Sequence, residues 1–256
     1  MLGDSTQISR GQTVDKEQQV SVAGIVLLLL FFCGTARAAA NPGEGPICDV
    51  ATDCFLAAED YAQAIHAHRE SLRAHPADAL GHYHLGFAEG MAGDKAQELE
   101  EYRRAAALGL SRWDLFLNIG LALLENGKLQ AATDALRYAV RLDPAQPESH
   151  FNLGLIYERR NMLAEAEQEM LVALRLEPDN LDARNMLGVI YARQGKIAQA
   201  SFQWQRLLHD ASDYGPARTN LTMLAAGSPG FRTKPGRASI PRSPICTRMS
   251  ALALCS

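Results

Sequence analysis

Residues 153–178 read LGLIYERRNMLAEAEQEMLVALRLEP, and this stretch restates itself along the chain. Steps of 34 residues from Gly154 reach Gly86, Gly120 and Gly188, and an aliphatic residue precedes each glycine: Leu85, Ile119, Leu153 and Leu187. Twelve places after the last three glycines stand Ala132, Ala166 and Ala200. Seven further on come Ala139 and Ala173, and five beyond those Pro144 and Pro178. Midway in each unit lies a turn residue in register: Gly93, Gly127, Asn161 and Gly195. A spacing kept over four units identifies an array of repeats.

The physical meaning of each slot is consistent with a pair of antiparallel helices. Glycine and alanine at those offsets leave no bulk, so two helices can approach closely. The midway residue needs positive φ, which glycine and asparagine tolerate. A proline after the second helix cannot continue it and so separates the units. Glu165 to Leu176 places apolar residues at helical spacing with charges opposite. No stretch alternates with period two for long enough to propose a sheet, so the expectation is all-α.

The pattern resembles the tetratricopeptide repeat family, with L-G-x-x-Y on a first helix and A-x-x-x-aromatic-x-x-A on a second. Tyr157 and Tyr191 follow the glycine by three, and Tyr102 and Trp204 fill the second-helix aromatic slot, where Leu136 and Met170 stand in the other units. The resemblance covers residues 79–214 as four units and implies a right-handed superhelical solenoid. The first unit departs most, with Glu98 in the small-residue slot, Glu89 in the first-helix aromatic slot and Leu110 in place of proline. A glutamate between close-packed helices is costly unless it reaches water. The expectation is therefore a looser unit, or a second helix rotated to put Ala96 at the contact. Residues 41–78 read as a linker and a degenerate N-terminal repeat, with Ala64 and Pro76 in register. Residues 215–226 repeat the first-helix pattern and read as a capping helix, which open arrays need.

In this family first helices line a concave face. The resemblance assigns that lining to the residues three before, one after and five after each repeat glycine. These are Tyr83, Phe87 and Met91; Leu117, Leu121 and Glu125; Phe151, Leu155 and Arg159; Asn185, Val189 and Arg193. Apolar anchors in a groove suit an extended or helical peptide, and Arg159 and Arg193 are placed to receive an acidic group. The alternative is that part of the stripe packs internally. Family members that clamp a chaperone carboxylate carry a basic residue six before the glycine. Here those positions hold Asp114, Glu148 and Asp182, so that clamp is absent.

Five of the seven histidines crowd between His66 and His84. A metal site is one reading, since imidazoles bind zinc, copper and nickel. Helical ligands share a face at i, i+3 or i+4, whereas His66/His68 and His82/His84 are two apart. A site would take one histidine from each helix, from among His66, His82 and His84, with Glu98 or Glu70. Ordinary polar filling between two poorly matched units is the other reading, and the sequence favours it. Gly120 to Gly127-Lys128 fails as a phosphate loop: the spacing is wrong, and no Ser or Thr follows the lysine. No nucleophile elbow, H-E-x-x-H or C-x-x-C occurs. The chain reads as a non-enzyme with no cofactor.

Residues 22–34 form an apolar run, followed by Ala36-Arg37-Ala38-Ala39-Ala40. Together they resemble the core and cleavage site of a secretory signal peptide spanning residues 1–40. The run is shorter than a membrane span of about 20 residues. The acidic residues ahead of it are atypical, and a start nearer Val14 or Val20 would remove them. The expectation is export to a bacterial periplasm, with a retained inner-membrane anchor as the alternative. Residues 227–256 hold five basic residues, no acid and four prolines, a composition that cannot bury enough to order itself. Taking that tail's +5 from the chain's net −4 leaves −9 on the rest. An acidic array argues against nucleic acid as ligand and leaves a protein or peptide as the expected partner. Cys48 and Cys54 are the candidate local disulfide, which requires that helix start near Cys54.

Overall fold

The computed structural model describes residues 50–227, and within them every regular element is a helix. The order is α1 (Val50–Ala57), α2 (Tyr61–Ala74), α3 (Ala79–Ala92), α4 (Lys95–Ala107), α5 (Trp113–Glu125), α6 (Leu129–Leu142), α7 (Pro147–Arg159), α8 (Leu163–Leu176), α9 (Leu181–Arg193), α10 (Ile197–Asp210) and α11 (Gly215–Ala225). Consecutive helices pack in pairs, and each pair stacks on the next, which makes an all-α solenoid closed C-terminally by α11. The proposed signal segment, Cys48 and the basic tail from residue 228 onward lie outside the described residues. Helix α1 opens at Val50, four residues before Cys54. Among the described residues no helix is long and apolar enough to cross a membrane.

Local chemistry sets the helix ends. Asp60, Asp78, Asp94 and Asn180 cap α2, α3, α4 and α9 by accepting backbone N–H bonds, which satisfies donors that a helix start leaves unmade. The turn between the paired helices needs the left-handed region. It is occupied by Gly93, Gly127 and Gly195, and by Asn161 at φ 61°.

Each repeat glycine is a seat for one large side chain sixteen residues later. A Cβ on Gly86 would lie 2.8 Å from the Tyr102 ring, and one on Gly120 2.7 Å from Leu136. On Gly154 it would lie 2.8 Å from Met170, and on Gly188 2.5 Å from Trp204. Tyr102, Leu136, Met170 and Trp204 are all essentially without exposure. Ala132, Ala166 and Ala200 are likewise fully buried beside them. The glycines are thus spaces filled by neighbours, as close packing of a protein interior requires.

The degenerate first unit keeps this register. Ala96 is exposed, so α4 is not rotated to put it at the contact, and Glu98 is itself buried. The first helix makes the room. A Cβ on Gly90 would fall 2.4 Å from Glu98 Oε1, so that glycine's empty side holds the carboxylate. Lys95 Nζ lies 3.4 Å from both Glu98 and Glu125. Burial, then the Glu125 charge, pushes Glu98 up to about 8; the long contacts to Lys95 do not offset this. Glu89, in the aromatic slot, is buried and accepts a 2.6 Å bond from Arg69.

Candidate functional site

The first helices of successive units lie beside one another: α5 touches α7, α7 touches α9, and α9 touches α11. This row presents one face in 34-residue register. Phe87, Leu121, Phe151, Asn185, Val189 and Arg159 on it are half-buried, while Met91 and Glu125 are exposed.

Three residues assigned to that lining are interior. Tyr83, Leu117 and Leu155 are 5 %, 0 % and 4 % exposed, although Phe151 and Asn185, in the slot of Tyr83 and Leu117, and Leu121 and Val189, in the slot of Leu155, are half-buried. The Tyr83 hydroxyl donates to Asp114 and accepts from Asn118 across the joint to the next unit. Arg193 is also committed elsewhere. It donates to the Glu158 carboxylate, to the Glu158 carbonyl at 2.9 Å and to Asn161 Oδ1 at 2.9 Å. It is an inter-unit clasp and not a receptor for an acidic group. Phe87 packs edge-on against Tyr61, with ring centroids 6.4 Å apart, in a small N-terminal core with Leu56 and Ala64. Phe87 is thus part of the array's N-terminal end, and the open apolar stretch runs through Leu121, Phe151 and Val189.

A second recurrent device sits on the other side of the first helices. Four residues before the glycine, His82 reaches Glu101 at 2.6 Å and the Pro76 carbonyl at 3.1 Å. His150 does the same with Glu169 at 2.7 Å and the Pro144 carbonyl at 3.0 Å. Arg184 bonds Asp210 and the Pro178 carbonyl. Each clip ties the proline that opens a unit to that unit's second helix. The hydrogen bond to Glu169 holds His150 above the usual imidazole value, against the opposing effect of burial. Where Leu110 replaces proline, the same position is Phe116, which meets the Tyr138 ring in a tilted contact with centroids 4.4 Å apart. Sequence reasoning missed this device, although register carries its signal: a polar side chain six residues after each unit-opening proline.

An open cleft of about 640 Å³ between α2 and α4 includes Arg69, Arg73 and Arg104 in its lining. Each arginine is matched by a neighbouring carboxylate: Glu89, Glu70 and Glu101.

The histidines are sorted differently from the expectation. His66 is exposed, and His82 serves the clip, so His66, His82 and His84 do not form one site. His68 and His84 converge instead on Asp53 of α1. Asp53 Oδ1 lies 2.7 Å from His84 Nδ1 and 3.6 Å from His68 Nε2, and all three side chains are buried. One ring nitrogen of each histidine and an Asp53 oxygen all fall within 4.8 Å of one another. The two imidazoles face each other at 5.5 Å. Burial, then the adjacent His84, lowers His68 to about 4, outweighing the opposite pull of Asp53. His68 is therefore neutral near pH 7, with a lone pair available for an acceptor or ligand role.

These features define an open helical-repeat solenoid whose first helices form a continuous, partly apolar face. Residues 117–179 and 171–216 match the family model described as tetratricopeptide repeat, in line with the resemblance carried by the repeat pattern. Solved structures agree in fold. YrrB, a TPR protein with an unusual peptide-binding site, is 20 % identical, with TM-score 0.62 over 67 % of this chain and 88 % of its own. MamA (41-end) from Desulfovibrio magneticus RS-1 is 20 % identical, with TM-score 0.60 over 64 % and 93 %. TTC0263, a thermophilic TPR protein in Thermus thermophilus, is 22 % identical, with TM-score 0.51 over 68 % and 95 %. No curated protein matches the chain in sequence.

Proposed function

We propose that this protein is a non-catalytic scaffold that holds a peptide or protein segment on the row of first helices. The observation that carries this reading is the set of half-buried apolar side chains Leu121, Phe151 and Val189 on successive first helices, Leu121 and Val189 one residue after their glycines and Phe151 three before its own. Such a stripe offers anchors for apolar side chains of an extended or helical segment. The peptide-binding site of YrrB is consistent with that use of the fold. The acidity of the array disfavours nucleic acid. The signal-like segment before residue 41 supports export, with assembly of the bacterial envelope as the working context.

The test is selection of peptides from a display library against the full chain, followed by titration of a selected peptide. Replacing Leu121 and Phe151 by Glu should weaken its binding by about tenfold or more, as loss of central anchors does. Equal affinity for wild type and variant would remove the groove from the mechanism.

A further inference from the structure

We infer that Asp53, His68 and His84 form a binding site for a divalent transition-metal ion of the zinc type, which staples α1 onto α2 and α3. The three residues come from three different helices, α1, α2 and α3, so their meeting is a product of the fold and not of one helix face. Their ligand atoms cluster within 4.8 Å. In tetrahedral zinc sites, with bonds near 2.0–2.1 Å, ligand atoms lie about 3.3 Å apart. The observed 2.7 and 3.6 Å separations around Asp53 Oδ1 bracket that spacing, so small side-chain movements suffice.

The ligand set suits the ion. Two imidazoles and one carboxylate are borderline donors of the kind zinc, copper and nickel take, and hard cations such as magnesium and calcium are poorly served by them. An independent observation points the same way. The Nε2 atoms of His68 and His84 are both buried and neither makes a hydrogen bond. Buried ring nitrogens left unmatched carry a desolvation cost, and ligation at the centre of the cluster would relieve it at His68 Nε2. The site has a structural character: it lies inside a helix joint, with all three side chains buried.

The experiment uses the full chain, stripped with a chelator and dialysed against zinc alone, with bound metal and protein quantified together. Wild type should retain one zinc more per chain than the double variant Asp53→Asn, His68→Gln, and zinc should raise its melting temperature. Each single substitution should weaken binding by at least about tenfold, the loss typical even of residues supporting a metal ligand. His66→Gln, on the same helix but exposed, should bind as wild type does. Circular dichroism of the stripped proteins reports whether the variants remain folded. A wild type that binds no more zinc than the double variant overturns the inference. So does a His66→Gln chain that loses as much as His68→Gln.

Discussion

The two ends of this array share one backbone plan and fill it with opposite chemistry. From α8 to α10 the interior is apolar apart from Arg184: Ala166, Met170, Leu187, Ala200, Trp204 and Leu207 are buried almost completely. From α1 to α4 the same depth holds Asp53, His68, His82, His84, Glu89, Glu98 and Glu101. The glycine seat survives in both, because it depends on shape alone. The difference teaches that the repeat fixes geometry while leaving chemistry free wherever each polar group can find a partner. In this chain the C-terminal end concentrates apolar burial, and the N-terminal end concentrates buried titratable groups.

The largest expected effect tests the stability side of that contrast. Trp204→Ala should cost about 3–5 kcal/mol, as removal of a fully buried aromatic does. In a linear array the loss should fall on α9 to α11 first. Amide exchange that accelerates equally in α2 to α4 would show that the halves do not act separately.

The next effect is smaller and separates two seats of the same shape. Gly188→Ala drives a Cβ into the rigid indole of Trp204, whose Nε1 also donates to the Asn185 carbonyl. About 1–3 kcal/mol of destabilisation should follow. Gly154→Ala meets the flexible end of Met170, and the gain in helix propensity of about 1 kcal/mol offsets the contact. Its denaturation midpoint should therefore stay near that of wild type. Equal losses for the two would mean that the tightness of the helix crossing, and not the seated side chain, sets the cost.

The subtlest effect belongs to Glu98. Its folded value is raised from 4.5 to about 8, so the folded state holds the proton more tightly than the unfolded chain. Stability is then fullest below about pH 4.5 and declines as pH rises through 8. Glu98→Gln should flatten that decline, read as the difference between urea midpoints at pH 5 and pH 8. A variant with the wild-type slope would show that other groups carry the pH dependence.

What the sequence disclosed follows the same divide. Slots defined by size were legible: the glycines, the buried alanines, the positive-φ turns and the α11 pattern all follow from one-residue sterics repeated at a fixed interval. Slots defined by partnership were not. Glu98 implied strain because its solution lies on another helix, in the space that Gly90 leaves. The binding row was legible only as a stripe, since Leu117 and Leu155 differ from Leu121 in burial and not in type. His68 was within reach: it stands four residues after the buried Ala64 and so shares its face, while His66, two residues on, does not. The Asp53 partner comes from a helix whose own repeat pattern is degraded, and nothing in spacing announces it.

The Arg193 clasp has a mechanical side. A solenoid behaves as a spring whose compliance sits at the joints between coils. At the joint between α7–α8 and α9–α10, Arg193 grips Glu158 and the Asn161 turn, while Gln194 and Lys196 both hold Glu167. Changing the pitch there means breaking several polar bonds together, so that coil is a stiff one. An occupant of the face beside it meets a surface of set curvature and must conform to it.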